Sequence, residues 1–429
     1  MDNDLHFLLA KYRTHAKTKR EQGAYFEKLV KVFLSDDPVY KINYKAVYTY
    51  GEWASANGLK AQDTGIDLVA KNHDDDFYTA IQCKFYAPDR VIQKSDLDGF
   101  FAASSTHHFS KRLFVDTTNC EWSKNALKIL ENQTAPCRRL SLKDLQKSPI
   151  KWDLYIKFGE IKRDTKKILR PHQKQALANV IKGLNDVDRG KLIMACGTGK
   201  TLTALRIAEE LAGVKKNILY LVPSLSLMNQ TIREWANDSN LEINPFAVCS
   251  DAQISIRRTA SDDHLDTDIH DLVYPATTDS KKLSEAYLKN LHDHRMNVVY
   301  ATYQSIDVLS KAQKEFNFPE FDFVICDEAH RTTGAKIKDQ RESRFTKIHS
   351  NDHIKAKKRL YMTATPKVYS EAVKEKATEA DAVLLSMDNA AYYGDEFYRV
   401  SFDYAVEHNL LCDYKVIIWR NGGYRTGCR

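Results

Sequence analysis

Residues 192–202, LIMACGTGKTL, run from an apolar stretch through a glycine-bearing loop into the start of a helix. Gly197, Thr198 and Gly199 let the backbone turn its amides inward around an anion. Lys200 adds a point charge and Thr201 offers a hydroxyl to a magnesium ion. The phosphate oxygens of a nucleotide suit this chemistry. Met194 stands where the usual GxxxxGK[ST] pattern has its first glycine, so the loop taken alone is also compatible with a chance glycine turn.

Residues 323–330, FVICDEAH, remove most of that ambiguity. An apolar strand here ends in two acids. Asp327 suits a magnesium site, and Glu328 suits the orientation and deprotonation of an attacking water. A solvated acidic turn accounts for the two acids but not for their position after the phosphate loop.

Together these segments resemble superfamily two helicases and translocases, and further matches follow in order. Arg170 and Gln173 in LRPHQ resemble the adenine-reading Q motif. LVPSLSLMNQ (221–230) is similar to motif Ia and ATYQS (301–305) to a later DNA-strand contact. MTATP (362–366) resembles motif III, in which Thr363 and Thr365 would link nucleotide state to strand grip. The resemblance spans roughly residues 165–415 and implies ATP with Mg2+.

The chain has 429 residues, 43% hydrophobic and 28% charged, enough for two or three domains with ordinary cores. The net charge of +7 is compatible with a polyanion partner without requiring one. Residues 1–150 carry 22 Lys and Arg against 19 Asp and Glu, whereas residues 151–170 carry 7 against 3. That short basic stretch is equally compatible with tracking a phosphate backbone and with a solvated linker. The eight cysteines form no CxxC pair, which argues against a zinc or iron–sulfur cluster and for reduced thiols. Neither a secretory signal nor a long uninterrupted apolar span is present, so a cytoplasmic protein with no membrane partner is expected.

Short apolar strands alternate with helical patterns over residues 171–395: LIMAC, ILYLV, VVYAT, FVICD, RLYMTAT and AVLLSM (382–387). This predicts a parallel sheet covered on both faces, with ligands at the carboxyl ends of the strands. Gly213 is placed to cap the helix after the phosphate loop. Between Asp251 and Met296 the chain is polar, a surface excursion with a helix near 280–292 that is compatible with a contact to DNA or a neighbouring domain, an inert insertion being the default.

Residues 1–150 read differently. A helix near 23–33 presents Phe26, Leu29, Val30 and Phe33 on one face. Strands GIDLVA (65–70) and FYTAIQCKFY (77–86) form a hairpin, and RLFVDTT (112–118) precedes a helix near 123–131, giving α-β-β-α-β-α. Side chains alternate across a strand, so Gln82 and Lys84 share a face that Asp67 can join. A carboxylate, an amide oxygen and an ammonium group are what metal-assisted phosphodiester hydrolysis needs. Glu27, at the edge of the helix's apolar face, would complete the metal environment. The alternative is a polar strand face with an ordinary Lys–Asp pair. Asp74, Asp75 and Asp76 read as a solvated turn.

Asp67, Gln82 and Lys84 resemble the PD-(D/E)xK nuclease core in the variant with Gln in place of the second acid, and GAYFEKLV, TGIDLVA and IQCKFY look like its Mrr-type branch. The expected organisation is therefore α/β throughout. A PD-(D/E)xK, restriction-endonuclease-like domain occupies 1–150 and a basic linker 151–170. A RecA-like P-loop lobe of DEAH type occupies 171–400, and an incomplete second lobe occupies 401–429. This order resembles single-polypeptide type I (type ISP) restriction enzymes. The resemblance implies a DNA endonuclease coupled to an ATP-dependent translocase of double-stranded DNA, with methyltransferase and target-recognition domains as further partners. A repair nuclease–helicase and a dormant DNA-binding fragment are the alternatives. The expected metal ligands are Asp67 and Gln82 in the first unit, Thr201 and Asp327 in the second. The resemblance implies that arginines of a second RecA-like lobe close the nucleotide site. No room remains after 401 to complete that lobe, and the tail RNGGYRTGCR also lacks an apolar period; weak ATP–magnesium binding and no translocation by this chain alone are expected.

Overall fold

The computed structural model describes residues 2–60, 65–73, 75–131, 133, 135–250, 272–291, 294–337, 343–379 and 382–412. Helices α1 (Asp2–His15), α2 (Lys19–Asp36) and α3 (Pro38–Asn43) lead into strand β1 (Tyr44–Thr49) and α4 (Tyr50–Ala56). The chain continues through β2 (Leu68–Asn72), β3 (Tyr78–Lys84), α5 (Ser95–Ala103), β4 (Phe109–Asp116), α6 (Lys124–Glu131), β5 (Cys137–Leu140), α7 (Leu142–Gln146) and α8 (Trp152–Phe158). The five strands form one sheet in sequence order. β1, β2 and β3 pair antiparallel, while β4 and β5 run parallel to β3. The expected helix–hairpin–helix–strand–helix succession is present, and β1 and β5 widen the sheet on either side.

The period of α2 explains its place. Phe26, Leu29, Val30 and Phe33 are all buried, and Thr18 caps the helix by accepting from the Glu21 amide. One sheet face, with Leu68, Ala70, Ile81, Leu113 and Val115, packs beneath this helix. The other, with Val69, Ala80 and Phe114, packs against Trp53, Phe100 and Trp122. The acidic turn after β2 departs from expectation. Asp75 is no solvated residue: it accepts from the Phe77 amide at 2.9 Å, Asn72 at 2.8 Å and the Ser110 hydroxyl at 2.8 Å, tying the hairpin to β4. Asp74 lies outside the described residues.

The second unit follows α9 (Pro171–Asp186) with β6 (Arg189–Met194), α10 (Lys200–Leu211), β7 (Asn217–Val222), α11 (Leu225–Asp238), β8 (Ile243–Val248), β9 (Ala276–Thr277), β10 (Met296–Thr302), β11 (Phe323–Cys326), β12 (Gly334–Ile337), β13 (Arg359–Thr363), β14 (Ala382–Leu385) and β15 (Asp395–Val400). Its sheet is ordered β15-β6-β13-β11-β7-β10-β8-β9 and every pairing in it is parallel. Alternation sends Leu192, Met194, Tyr220, Tyr300, Ile325 and Met362 to one face and Leu221, Val299, Ala301, Cys326 and Tyr361 to the other. Gly213, at φ +68°, closes α10 as expected.

AVLLSM corrects the expected sheet. Ala382–Leu385 pairs antiparallel with β12 in a separate two-stranded ribbon, because only Leu385 of the strand is buried and Val383 is exposed. The edge strand beside β6 is instead β15, where Phe397 lies over Gly183 and Gly190 at positions that a Cβ would fill. From Ser401, where a second lobe was expected to open, the helix Phe402–Glu407 buries Ala405 in the same core. Of the polar excursion, residues 251–271 lie outside the described part, and the helix spans Ser280–Lys289.

The two units share one apolar core that runs from Leu5 and Phe33 to Trp235 and Tyr300. Polar contacts seal the seam. Arg138 donates to the Val273 carbonyl at 2.7 Å and Asn43 donates to the same oxygen at 3.1 Å. Arg233 pairs with Asp144 at 2.6 Å.

The turn into β15 supplies a stability test. Gly394 has φ +67° and its missing Cβ would collide with the Arg189 carbonyl, whereas Gly58 at φ +70° faces open space. Gly394→Ala is expected to cost about 3 kcal/mol, and Gly58→Ala about 1 kcal/mol, in urea unfolding. Equal costs would remove the clash, and with it the close approach of the turn to β6.

Candidate functional site

In the N-terminal unit the register sets Leu68 opposite Ile81, and the Asp67 amide extends that pairing by donating to the Ile81 carbonyl at 2.9 Å. Asp67 thus sits at the end of the hairpin beside Gln82, Cys83 and Lys84. Its Oδ2 accepts from the Cys83 amide at 2.6 Å. Gln82 is buried and its Oε1 meets no hydrogen-bond donor. An unpaired buried amide oxygen costs roughly 1–3 kcal/mol and therefore marks a place where a partner is due. The Cys83 thiol is pushed well up by burial, then by the charges of Asp67 and Glu27, while Lys84 pulls it down. These three charged groups therefore surround one end of β3. Among the described residues no three His, Cys, Asp or Glu side chains gather at one point.

In the second unit the residues follow the strand ends. Gly197 and Gly199 hold φ +81° and +86°, and a Cβ on Gly199 would strike the Gln173 amide. Only glycine makes this loop at that proximity. Gln173 is committed to the loop's shape: Oε1 accepts from the Arg170 amide at 2.8 Å and Nε2 donates to the Thr198 carbonyl at 3.0 Å. His172 Nε2 lies 3.0 Å from the same carbonyl. The Arg170 side chain is exposed at the start of α9. Thr198 is buried, with its hydroxyl on the Ala195 carbonyl at 2.7 Å. Lys200 Nζ rests on the Met194 carbonyl at 3.2 Å, and Thr201 opens α10 beside it.

Asp327 ends β11 with its carboxylate buried. The Tyr220 hydroxyl donates to Oδ2 at 3.0 Å, and the Glu328 amide donates to Oδ1 at 2.9 Å. Burial, then the Glu328 charge, pushes the Asp327 pKa up to about 6 against the pull of Lys200 and Tyr220. Glu328 takes the left-handed conformation, φ +48°, which turns its carboxylate back toward the site. Its pKa is lowered, first by His330 and then, against burial, by Lys200. His330 Nδ1 lies 3.4 Å from Glu328 Oε2 and 3.0 Å from the Thr363 hydroxyl. Thr363 Oγ1 in turn accepts from the Thr365 amide at 3.2 Å. A chain of polar contacts thus runs Glu328–His330–Thr363–Thr365.

Three contributors escape sequence reading. His330 was legible only as part of DEAH, and Tyr303 only as part of ATYQS, although its hydroxyl donates to the Asp327 carbonyl at 2.8 Å. Tyr220 left no signal, because in ILYLV it reads as one more apolar strand residue.

Comparison with known proteins matches both units. Residues 35–161 match a family described as a restriction endonuclease, and residues 166–368 match one described as the type III restriction enzyme res subunit. A solved structure of the ATP-dependent Type ISP restriction-modification enzyme LlaBIII bound to DNA superposes with a TM-score of 0.78 at 36% identity, covering 95% of this chain and 26% of that one. The type I restriction enzyme EcoAI endonuclease subunit of Escherichia coli is 26% identical over 254 residues, 58% of this chain. "Probable helicase A859L" of African swine fever virus is 28% identical over 248 residues. The chain spans 24% of the length of each of these two relatives. Among the described residues no helix is long and apolar enough to cross a membrane.

Close to the segment 327–330, His349 is buried between Tyr361 Oη, 2.9 Å from Nδ1, and the Thr332 carbonyl, 3.3 Å from Nε2. Burial lowers its pKa to about 4. The unfolded chain takes up this proton near 6.5, so stability is complete above that pH and falls as pH drops toward about 4, by about 3 kcal/mol. His349→Gln should flatten that part of the stability–pH curve, measured by chemical unfolding from pH 4 to 7. An unchanged slope would place the imidazole in water.

Proposed function

We propose, on the premise that a restriction-endonuclease domain and a type III res-type domain are joined here, that this chain is the DNA-cutting and motor part of an ATP-dependent restriction-modification enzyme of type ISP kind. It acts on double-stranded DNA in the cytoplasm, with methyltransferase and target-recognition domains as partners. The observation that carries the nuclease half is the unpartnered Gln82 Oε1, buried beside Asp67 at the end of the hairpin.

Families of both kinds generally use ATP and Mg2+. Asp67 and Gln82, with Glu27 nearby, would hold one ion; Thr201 and Asp327 would hold the other. At either place the ion polarises a phosphate oxygen and lowers the pKa of water. The residues fit this use. The orphaned amide oxygen and the buried carboxylate of Asp327 are groups whose burial a cation would compensate.

In the nuclease, Lys84 orients or activates the attacking water on the face it shares with Gln82. The neutral amide binds a cation less strongly than a second acid would, so Asp67 carries most of the metal affinity. In the motor, the amides of Gly197 to Lys200 and the Lys200 ammonium receive phosphate oxygens. Arg170 and Gln173 flank the base, with Gln173 also fixing the loop. Glu328, held ionised beside His330, accepts the proton of the water that attacks the terminal phosphate. Thr363 and Thr365 pass the resulting change in charge toward the DNA-gripping segments.

Supercoiled plasmid with magnesium or manganese tests the nuclease directly. Lys84→Ala is expected to reduce nicking about a hundredfold or more, while Gln82→Glu lowers the metal concentration needed for half-maximal rate. Nicking that persists in Lys84→Ala would show that the reaction is performed elsewhere.

A further inference from the structure

Helix α11 touches the nucleotide site on one side and the nuclease unit on the other. On its inner side Trp235, fully buried, donates from Nε1 to the Thr201 carbonyl at 3.1 Å. The same indole stands edge-on to Tyr220 with ring centroids 5.1 Å apart, and Tyr220 holds Asp327. One buried side chain therefore contacts, directly or through one neighbour, both residues assigned to the motor's magnesium. On its outer side Arg233, 7% exposed, pairs with Asp144 of α7 in the nuclease unit. Four residues earlier, Asn229 Oδ1 accepts from the Val273 amide at 3.0 Å. The carbonyl of Val273 receives Arg138 and Asn43 from the nuclease unit.

We propose that α11 couples the nucleotide site to the nuclease unit, with Trp235 and Tyr220 as positioning residues for Thr201 and Asp327, and the Arg233–Asp144 pair as the anchor. This rests on the nucleotide-binding reading of the phosphate loop. A helix is stiff along its axis and its surroundings are close-packed, so a shift of Thr201 on nucleotide binding moves Trp235 and carries Arg233 with it. The pair on the outer side is buried enough to resist breaking, since either partner left alone is an uncompensated charge. Coupling of this kind is reciprocal: what orders the seam also orders the nucleotide site.

Hydrogen exchange on the whole chain, with and without magnesium and a non-hydrolysable ATP analogue, tests the proposal. In the parent protein the analogue is expected to slow exchange at 197–205 and, by about fivefold, at 142–146 across the seam. Trp235→Phe keeps the ring packing and removes the donor. Arg233→Met with Asp144→Asn removes the anchor without orphaning a charge and keeps an acceptor for the Ser141 amide that caps α7. Each should retain the slowing at 197–205 and lose it at 142–146. Slowing at 142–146 that survives in both variants, or is absent from a parent that responds at 197–205, overturns the coupling alone. A parent with no response at 197–205, indistinguishable from Lys200→Ala, overturns the nucleotide reading and the coupling with it.

Discussion

A buried carboxylate sits at the end of the central strand β11, and the motor unit is arranged about that fact. Asp327 is brought there by a short apolar strand between two parallel neighbours, so the sheet that buries Phe323 and Ile325 also buries the acid. Tyr220 and the Glu328 amide each satisfy one oxygen, yet burial still drives its pKa upward. A site built this way gains from a cation. The phosphate loop places Lys200 and Thr201 on the same edge, where parallel strands end and the helix after the loop begins.

The nuclease unit meets a similar demand by other means. Gln82 is buried with an unsatisfied oxygen, and Asp67 is fixed by a backbone amide of the strand it faces. One unit thus carries an unsatisfied amide oxygen and the other a buried carboxylate with a raised pKa, each at the end of a strand whose remaining side chains pack tightly. Their shared core packs them together, with the seam closed by Arg138, Asn43 and Arg233.

Much of this was legible in the order of residues. Glycines that need positive φ, a lysine after them, acids at the end of an apolar run and a period-two face holding Gln82 and Lys84 each leave a local trace. Elements whose reasons are tertiary left none. β8 contains Pro245, which reads as a strand breaker; it is tolerated because β9 covers only Ala247 and Val248, leaving Pro245 without a partner on that side. β15 begins with Asp and Glu, as an edge strand can, and its place is set by glycines far away in sequence that admit Phe397. AVLLSM misled because an apolar run does not say whether both faces are covered. Asp75 misled because an acid in a polar turn does not show that Ser110 lies within reach.

The central claim is that two distinct metal-dependent centres lie on one chain. Crystals soaked with manganese and a non-hydrolysable ATP analogue, measured by anomalous diffraction, test it most directly. The account predicts one manganese peak beside Asp67 and Gln82 and a second between Thr201, Asp327 and the analogue's phosphates. Peaks confined to other residues, or a phosphate loop without nucleotide under saturating soak, would contradict it.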